Sequence, residues 1–313
     1  MERGQGKGKM MKALVVGFGS IGKRHARILK ELGCEVGVVS HREVGFSPRY
    51  KNLGRALKDF SPGYVVVANR TSEHLRTLKK LRAGKFKGVV MVEKPLFSNA
   101  EKFPASGFRK IVVGYNLRFH PLIRNLRKLL RGQKILTVQA YVGKNLAAWR
   151  PGVDYKKSYS AIKNQGGGVL RDLSHELDYV IWLLGGWRSV AAVGGHYSRL
   201  KIETDDIFSL MIKTRCCDSV FVHMNYVDPV GHRTLMVNAA KTCIRIDLMN
   251  HWIEVNGKRK NLLVDRDFTY LEEHRAVLAG QYSRLCSFVE GVEVMRLIAA
   301  AEKSAKNEKW VHA

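Results

Sequence analysis

Residues 166–178 read GGGVLRDLSHELD, so two aspartates, a glutamate, a histidine and an arginine follow directly on three glycines. Acid–base chemistry needs titratable groups held within hydrogen-bond reach, and residues three apart on a helix are neighbours. Asp172 and His175 are three apart, and a carboxylate beside His175 would fix its tautomer and raise its pKa. At about 100° per residue, Val169, Leu170, Leu173, Leu177, Val180, Ile181 and Leu184 share an arc of roughly 120°, a core-facing stripe that leaves Asp172 and His175 to one side. The same charges would also suit a capped, salt-bridged helix in which Asp172 complements the N-terminal dipole.

Two further stretches carry ligand chemistry. VVGFGSIG sets Gly17, Gly19 and Gly22 in a G-x-G-x-x-G spacing between an apolar run and the amphipathic SIGKRHARILKEL. The first glycine permits a tight turn, the second lets backbone approach a pyrophosphate, and the third lets helix pack on strand. Phe18, Ser20 and Ile21 complete that turn. Where a carboxylate would hold ribose hydroxyls, about 20 positions on, stand Ser40, His41 and Arg42. Ser40 and Arg42 can hydrogen-bond a 2′-phosphate that a carboxylate would repel, so NADP is expected over NAD, unless Arg42 merely faces solvent. VEKP then places Glu93 and Lys94 where a parallel strand would open into a ligand crevice. Burial there would lower the Lys94 pKa and let it exchange a proton with a substrate hydroxyl, although a surface lysine before a proline stop would read the same way.

The elements that must position these groups change character along the chain. KALVVGFG, CEVGVVS, GYVVVAN, GVVMVEKP and KIVVGYN are apolar strand runs interleaved with helical patterns over about 20–32, 51–59 and 71–84, which predicts a parallel sheet covered on both faces. From about residue 134 to 265, ILTVQAYVG, SVAAVGGHYS, DIFSLMIKTR, SVFVHMNYV, TLMVNAA, CIRIDLM and HWIEVNG are separated largely by short turn signals, which predicts antiparallel pairing. Two helices, DFTYLEEHRAVLAGQYS and LCSFVEGVEVMRLIAAAEKSAKN, follow. The expected organisation is a disordered extension over 1–10, a dinucleotide-binding domain over 11–120, and a substrate-binding and dimerisation domain over 121–313 whose last helix could pack back on the first.

With 313 residues, 45% of them hydrophobic, the chain can bury a sizeable core. Lys and Arg number 54 against 27 Asp and Glu, and the resulting charge of +27 favours anionic ligands such as phosphates or sugar nucleotides. No nucleic-acid-binding motif accompanies the charge, so nucleic acid is not the expected partner. No apolar run approaches a membrane span, and the N-terminal residues lack the apolar stretch of a secretory signal, so a cytoplasmic protein is expected. Five cysteines without a C-x-x-C read as reduced thiols. The scattered histidines suggest no metal, and no H-E-x-x-H, G-x-S-x-G or P-loop is found.

Taken in order, the G-x-G-x-x-G, the E-K-P about 70 residues on, GYNLRFHP, the glycine turn with its Asp/His helix and the closing VEVMRLIAAAEKS resemble the Gfo/Idh/MocA oxidoreductases over nearly the whole chain. The resemblance implies an α/β protein: a Rossmann doubly wound parallel sheet, then an α+β domain with a large, mostly antiparallel open sheet that often mediates dimerisation, giving a homodimer or homotetramer. It implies NAD(P)-dependent hydride transfer at a hydroxyl or keto carbon of a sugar, amino sugar, sugar nucleotide or cyclitol, with Lys94 contacting both substrate and nicotinamide ribose and Asp172 orienting His175. His74 matches the family's histidine in the helix after the third strand, so Asn69, Arg70, His74 and Glu93 join the expected cofactor contacts. In two places the chain departs from the family pattern. Many members space the Asp/His pair by four where DLSH gives three, and many carry a Thr-Pro or Asn-Pro where Asn69-Arg70 stands. The loop AAWRPGVDYKKSYSAIKNQ supplies Trp149, Arg150, Asp154, Tyr155 and Tyr159 as sugar-site candidates, with aromatics for ring faces and Arg150 for an anionic group. Tyr115, Asn116, Arg118 and His120 are further candidates. The form GGGVLRDLSHELDY resembles a subgroup associated with bacterial surface-carbohydrate genes. A non-catalytic dinucleotide- and sugar-binding regulator of the same fold is the alternative.

Overall fold

The protein is described by a computed structural model over residues 10–149 and 152–313. Its first half alternates strand and helix: Lys12–Val16 (β1), Ser20–Glu31 (α1), Glu35–Val39 (β2), Arg49–Tyr50 (β3), Leu53–Phe60 (α2), Tyr64–Val67 (β4), His74–Ala83 (α3), Val89–Val92 (β5) and Lys110–Val113 (β6). Continuous apolar runs such as YVVV are buried on both faces, as a parallel strand between helical layers must be. β1 to β6 pair in parallel, in the order β6-β5-β4-β1-β2-β3. The carboxyl ends of β1, β4 and β5 therefore lie side by side, and these ends carry the glycine motif, Asn69 and the Glu93-Lys94 pair.

Beyond Pro121–Leu129 (α4) the strands are Ile135–Gly143 (β7), Trp187–Gly195 (β8), Ile207–Thr214 (β9), Val220–Asn225 (β10), His232–Ala239 (β11), Thr242–Asp247 (β12), Trp252–Val255 (β13) and Lys258–Asn261 (β14). Together with Val311–His312 (β16) they form a nine-stranded sheet ordered β14-β13-β12-β11-β7-β10-β9-β8-β16. It is antiparallel apart from the parallel β7–β10 pair. Side chains alternate across it: Phe208, Leu210 and Ile212 are buried on one face, while Val193, Met211 and Phe221 stand exposed on the other.

The segment expected as one helix over 169–184 is two, Val169–Asp172 (α5) and His175–Leu183 (α6). Leu173 and Ser174 leave the regular ladder, and Ser174 N–H and Glu176 N–H reach back only three residues, to Arg171 and Leu173. Residues 166–181 are buried throughout. Over these residues no face is left to solvent, and Arg171, Glu176 and Asp178 are each paired with an opposite charge from elsewhere in the fold, Glu302, Arg233 and Arg118.

The chain then returns to the first sheet. Phe268–Leu278 (α7) packs on α1, and Cys286–Ser287 (β15) pairs antiparallel with β6 as its edge strand. Phe288–Asn307 (α8) opens with a Ser287–Glu290 capping box and touches both sheets. A side chain at Gly291 would meet Val113 of β6 at 2.5 Å, and Ser304 Oγ accepts the Ala192 N–H of β8 at 2.9 Å.

Candidate active site

Gly17 adopts φ +98° at the end of β1, and a Cβ there would stand 2.6 Å from the Asn69 nitrogen. A Cβ on Gly22 would meet the Gly17 carbonyl at 2.1 Å, so neither position accepts a side chain without backbone movement. Gly19 faces open space and caps α1 with no side-chain hydrogen bond, which leaves the first helical N–H groups available to an anion. Ser20, Ile21, Asn69, Arg70, Thr71, His74, Glu93, Lys94, Tyr159 and Tyr270 line a cleft of about 260 Å³ next to this turn. Asn69 donates Nδ2–H to Thr77 at 2.9 Å, and its Oδ1 is a buried acceptor without a partner. The uncapped helix start and this orphan acceptor fit the pyrophosphate and a hydroxyl of a dinucleotide.

His74 does not reach into the cleft chemically. Its ring lies between the Pro95 and Leu96 carbonyls, 3.1 and 3.2 Å from Nδ1, and the Asn69 carbonyl, 3.2 Å from Nε2, so it ties two cleft-edge loops together. Phe18 turns to the other side of the motif, edge-on to Phe46 at 5.2 Å, in a second cleft that Lys23, Arg27 and Lys30 also line. Ser40 Oγ is engaged in its own turn, donating to the Arg42 carbonyl and accepting the Arg42 N–H. His41 and Arg42 are exposed.

Lys94 Nζ donates to the Asp172 carbonyl at 2.6 Å and so joins the end of β5 to the C-terminus of α5. Burial lowers the Lys94 pKa, against the pull of Asp172 and Glu93. His175 is buried, with Nδ1 unpartnered and the Tyr115 ring edge-on at 5.6 Å. Burial, then Lys94 and Arg233, push its pKa well below the ordinary range, opposite to the rise expected from a neighbouring carboxylate. The expected Asp172–His175 pairing is corrected as well. Because the helix breaks between them, Asp172 Oδ2 accepts instead from Tyr226 O–H at 2.6 Å, and Asp172 Oδ1 is buried without a partner. Burial, Lys94 and Arg233 thus favour a neutral His175 imidazole.

Other expected contacts resolve into structure. Arg118 is not presented to a ligand: its guanidinium grips Asp178 at 2.7–3.2 Å and Glu290 at 2.8 Å, with both Arg118 and Asp178 side chains 2% exposed. Burial opposes the Arg118 charge, but Asp178 outweighs it and keeps the guanidinium protonated. Asn116 donates to Thr269 at 2.7 Å, Asp154 accepts the Lys156 N–H within its own turn, and Tyr155 Oη accepts the Lys201 N–H at 3.4 Å. Tyr115 donates to Ser174 at 3.2 Å. Trp149 donates to the Lys144 carbonyl and packs edge-on to Tyr226, one step from Asp172. Arg150 lies outside the described residues. The loop around these residues is not structureless, since short 3₁₀ turns punctuate it over Leu146–Ala148, Tyr155–Lys157, Tyr159–Ala161 and Lys163–Gln165.

Three residues near this centre have no local sequence signal. Arg233, on β11, forms an ion pair with the buried Glu176 at 2.8 Å and acts electrostatically on both Lys94 and His175. Tyr226 holds Asp172, and Tyr270 of α7 walls the cleft. Strand alternation marks Arg233 as sharing a face with Leu235 and Val237, but only the fold shows what covers that face.

His120 caps α4 through Nδ1, stacks on His251 at 5.7 Å and has Nε2 buried without a partner. Burial, then His251 and Arg233, lower its pKa to about 4. A histidine with a depressed folded pKa binds fewer protons than its unfolded counterpart, so it supports the fold above pH 6.5 and withdraws that support as pH falls to about 4. His120→Asn keeps a capping side chain without the titration, and the unfolding free energy from urea titrations across this window is expected to lose a pH dependence on the order of 3 kcal/mol.

The model for the GFO/IDH/MocA C-terminal domain matches residues 123–259, which span α4 to β14 and contain Asp172, His175, Tyr226 and Arg233. The family resemblance carried by the motifs is borne out, as is the pairing of a Rossmann-like sheet with a large, mostly antiparallel one. Inositol 2-dehydrogenase of Rhizobium meliloti (strain 1021) is 30% identical over 129 residues, 39% of this chain and 36% of that relative, so the match spans little more than a third of the relative's length. GenD2 from gentamicin A biosynthesis, solved with NAD, superposes with a TM-score of 0.80 over 100% of this chain and 99% of its own at 21% identity. Levoglucosan dehydrogenase with NADH gives 0.82 over 97% and 99% at 16% identity. The matched residues thus follow a parallel sheet here in the same arrangement as in these neighbours. Among the described residues no helix is long and apolar enough to cross a membrane, and no group of three or more His, Cys, Asp or Glu side chains is placed to hold a metal ion.

Proposed function

We propose that the protein is a nicotinamide-dinucleotide-dependent dehydrogenase or reductase acting on a CH–OH group of a sugar, amino sugar, sugar nucleotide or cyclitol. The observation that carries this reading is the Lys94–Asp172 bond, which brings the end of the dinucleotide-type cleft against the helix pair bearing His175. The glycine turn and the start of α1 would hold the pyrophosphate, with Asn69 and Lys94 near the nicotinamide ribose. A bound nicotinamide supplies a carbon that takes or returns hydride. In the oxidative direction the substrate hydroxyl gives its proton to neutral His175, while Lys94 orients the oxygen and opposes the negative charge developing on it. Asp172, held by Tyr226, fixes the end of α5 on which Lys94 rests, and Trp149 and Tyr159 wall the sugar side.

The relatives' names, inositol 2-dehydrogenase and levoglucosan dehydrogenase, support a polyhydroxylated substrate. The test is a panel of sugars, sugar nucleotides and cyclitols with NADP and NAD, followed by absorbance of the reduced cofactor. Tight cofactor binding with no turnover on any of them would favour a sensor of the same fold.

NADP is the proposed cofactor, because the β2–β3 turn opens with Ser40, His41 and exposed Arg42, and its carboxylate, Glu43, comes only after them and is paired with Arg49. Arg42→Ala is expected to lower the preference for NADP over NAD about tenfold, read as the ratio of the two dissociation constants. An unchanged ratio would make Arg42 a solvent residue. A cytoplasmic location, a role in surface-carbohydrate synthesis and a homodimer or homotetramer complete the proposal, the last supported by the exposed apolar side chains on the open face of the large sheet.

A further inference from the structure

Tyr64 of β4, His274 of α7, His25 of α1 and Glu93, just past β5, form one buried chain. Tyr64 Oη lies 3.0 Å from His274 Nδ1, His274 Nε2 lies 2.8 Å from His25 Nδ1, and His25 Nε2 lies 2.8 Å from Glu93 Oε1. The other Glu93 oxygen accepts the Lys94 N–H at 3.0 Å. Tyr64, His25 and His274 are almost completely enclosed. The proton transfer assigned to Lys94 and His175 uses none of the three.

The direction of the chain follows from its acceptors. The Tyr64 hydroxyl has one proton and two neighbours, an imidazole nitrogen at 3.0 Å and the Met91 sulfur at 3.4 Å. The nitrogen is the stronger acceptor. Tyr64 therefore donates to His274 Nδ1, His274 donates Nε2–H to His25 Nδ1, and His25 donates Nε2–H to Glu93. Burial pushes His274 well below the ordinary histidine range, consistent with a single proton on its ring. Burial raises the Glu93 pKa, but the His25 bond and Lys94 outweigh it and hold the carboxyl below its usual value. The nearby Glu273 carboxyl is buried with neither oxygen partnered and is driven well above its usual value, so it stays neutral and does not compete for His25. Lys94 Nζ is directed to the Asp172 carbonyl, which leaves the Glu93 carboxylate to the histidine chain.

We propose that Tyr64, His274 and His25 are positioning residues that fix Glu93 as a negative charge at the wall of the dinucleotide cleft, so that the site favours the oxidised, positively charged nicotinamide over the reduced, neutral one. This inference rests on the dinucleotide reading above. A fixed charge in a site of low dielectric discriminates between ligands that differ by one charge, whereas a packing role would treat both alike.

The experiment measures dissociation constants for the oxidised and reduced dinucleotide by fluorescence titration of wild type, Tyr64→Phe, His274→Phe and Glu93→Gln. The ratio of oxidised to reduced constants is expected to rise about threefold to tenfold in His274→Phe and Glu93→Gln, and to move the same way, by less, in Tyr64→Phe. Tyr64→Phe removes only a hydroxyl and keeps the test available if the histidine variant does not fold. Binding of both forms with an unshifted ratio, or constants that change in step, overturns the relay alone. A wild type that binds neither form overturns the dinucleotide reading and the relay with it. Nitrogen NMR of histidine-labelled protein without cofactor is expected to show Nε2–H tautomers at both His25 and His274, and an Nδ1–H tautomer at either overturns the relay.

Discussion

His175→Ala is expected to lower kcat by about 10²–10⁴-fold while leaving dinucleotide affinity nearly unchanged. The imidazole is not among the residues that line the cleft beside the glycine turn, so under the proposed mechanism its loss removes a proton acceptor and no cofactor contact. The pH profile gives the sharper readout. Because burial and the charges of Lys94 and Arg233 push its pKa well below the ordinary range, His175 is already neutral at neutral pH. The acid limb of the oxidative rate should lie below pH 6.5 in the wild type and vanish in the variant. An unchanged kcat, or an acid limb that survives the substitution, would move the proton acceptor to Lys94.

Arg118→Ala is expected to cost about 3–5 kcal/mol of stability, because it strands the Asp178 carboxylate inside the core. Arg118 fixes the 3₁₀ turn after β6 to α6 through Asp178 and to the start of α8 through Glu290. Denaturant unfolding measures the loss. The same logic predicts that Arg118→Met combined with Asp178→Leu recovers most of it, since removing both charges leaves nothing unpaired. A single variant as stable as the wild type would mean that solvent reaches Asp178, against its burial here.

Most strands were legible because apolar runs and alternation are local properties. The missed ones were short or polar: β14 reads KRKN, wholly exposed, and β3, β15 and β16 are two residues each. Lys94, His175 and the glycine turn were legible because motif spacing fixes their place on strand ends and helix starts. The roles of Asp172 and Arg118 were not. A two-residue departure from helical bonding at Leu173 and Ser174 redirects Asp172 to Tyr226, and sequence periodicity cannot register a break inside an unbroken apolar stripe. Arg118 sits in a run that looks like ligand chemistry, yet its partners, Asp178 and Glu290, come from distant elements. Arg233 and His274 were invisible for the same reason, since each acquires its meaning from a contact across the fold.

The edge of the first sheet is supplied by residues 286 and 287, and a fully buried histidine bonded to its β4 by residue 274. On a translating ribosome that sheet therefore waits, its β6 edge open, until nearly the whole polypeptide has emerged. The two sheets are not autonomous modules joined end to end but a single interleaved unit, so a fragment cut after residue 120 should behave as a sticky, incompletely closed intermediate and not as a free-standing cofactor-binding protein.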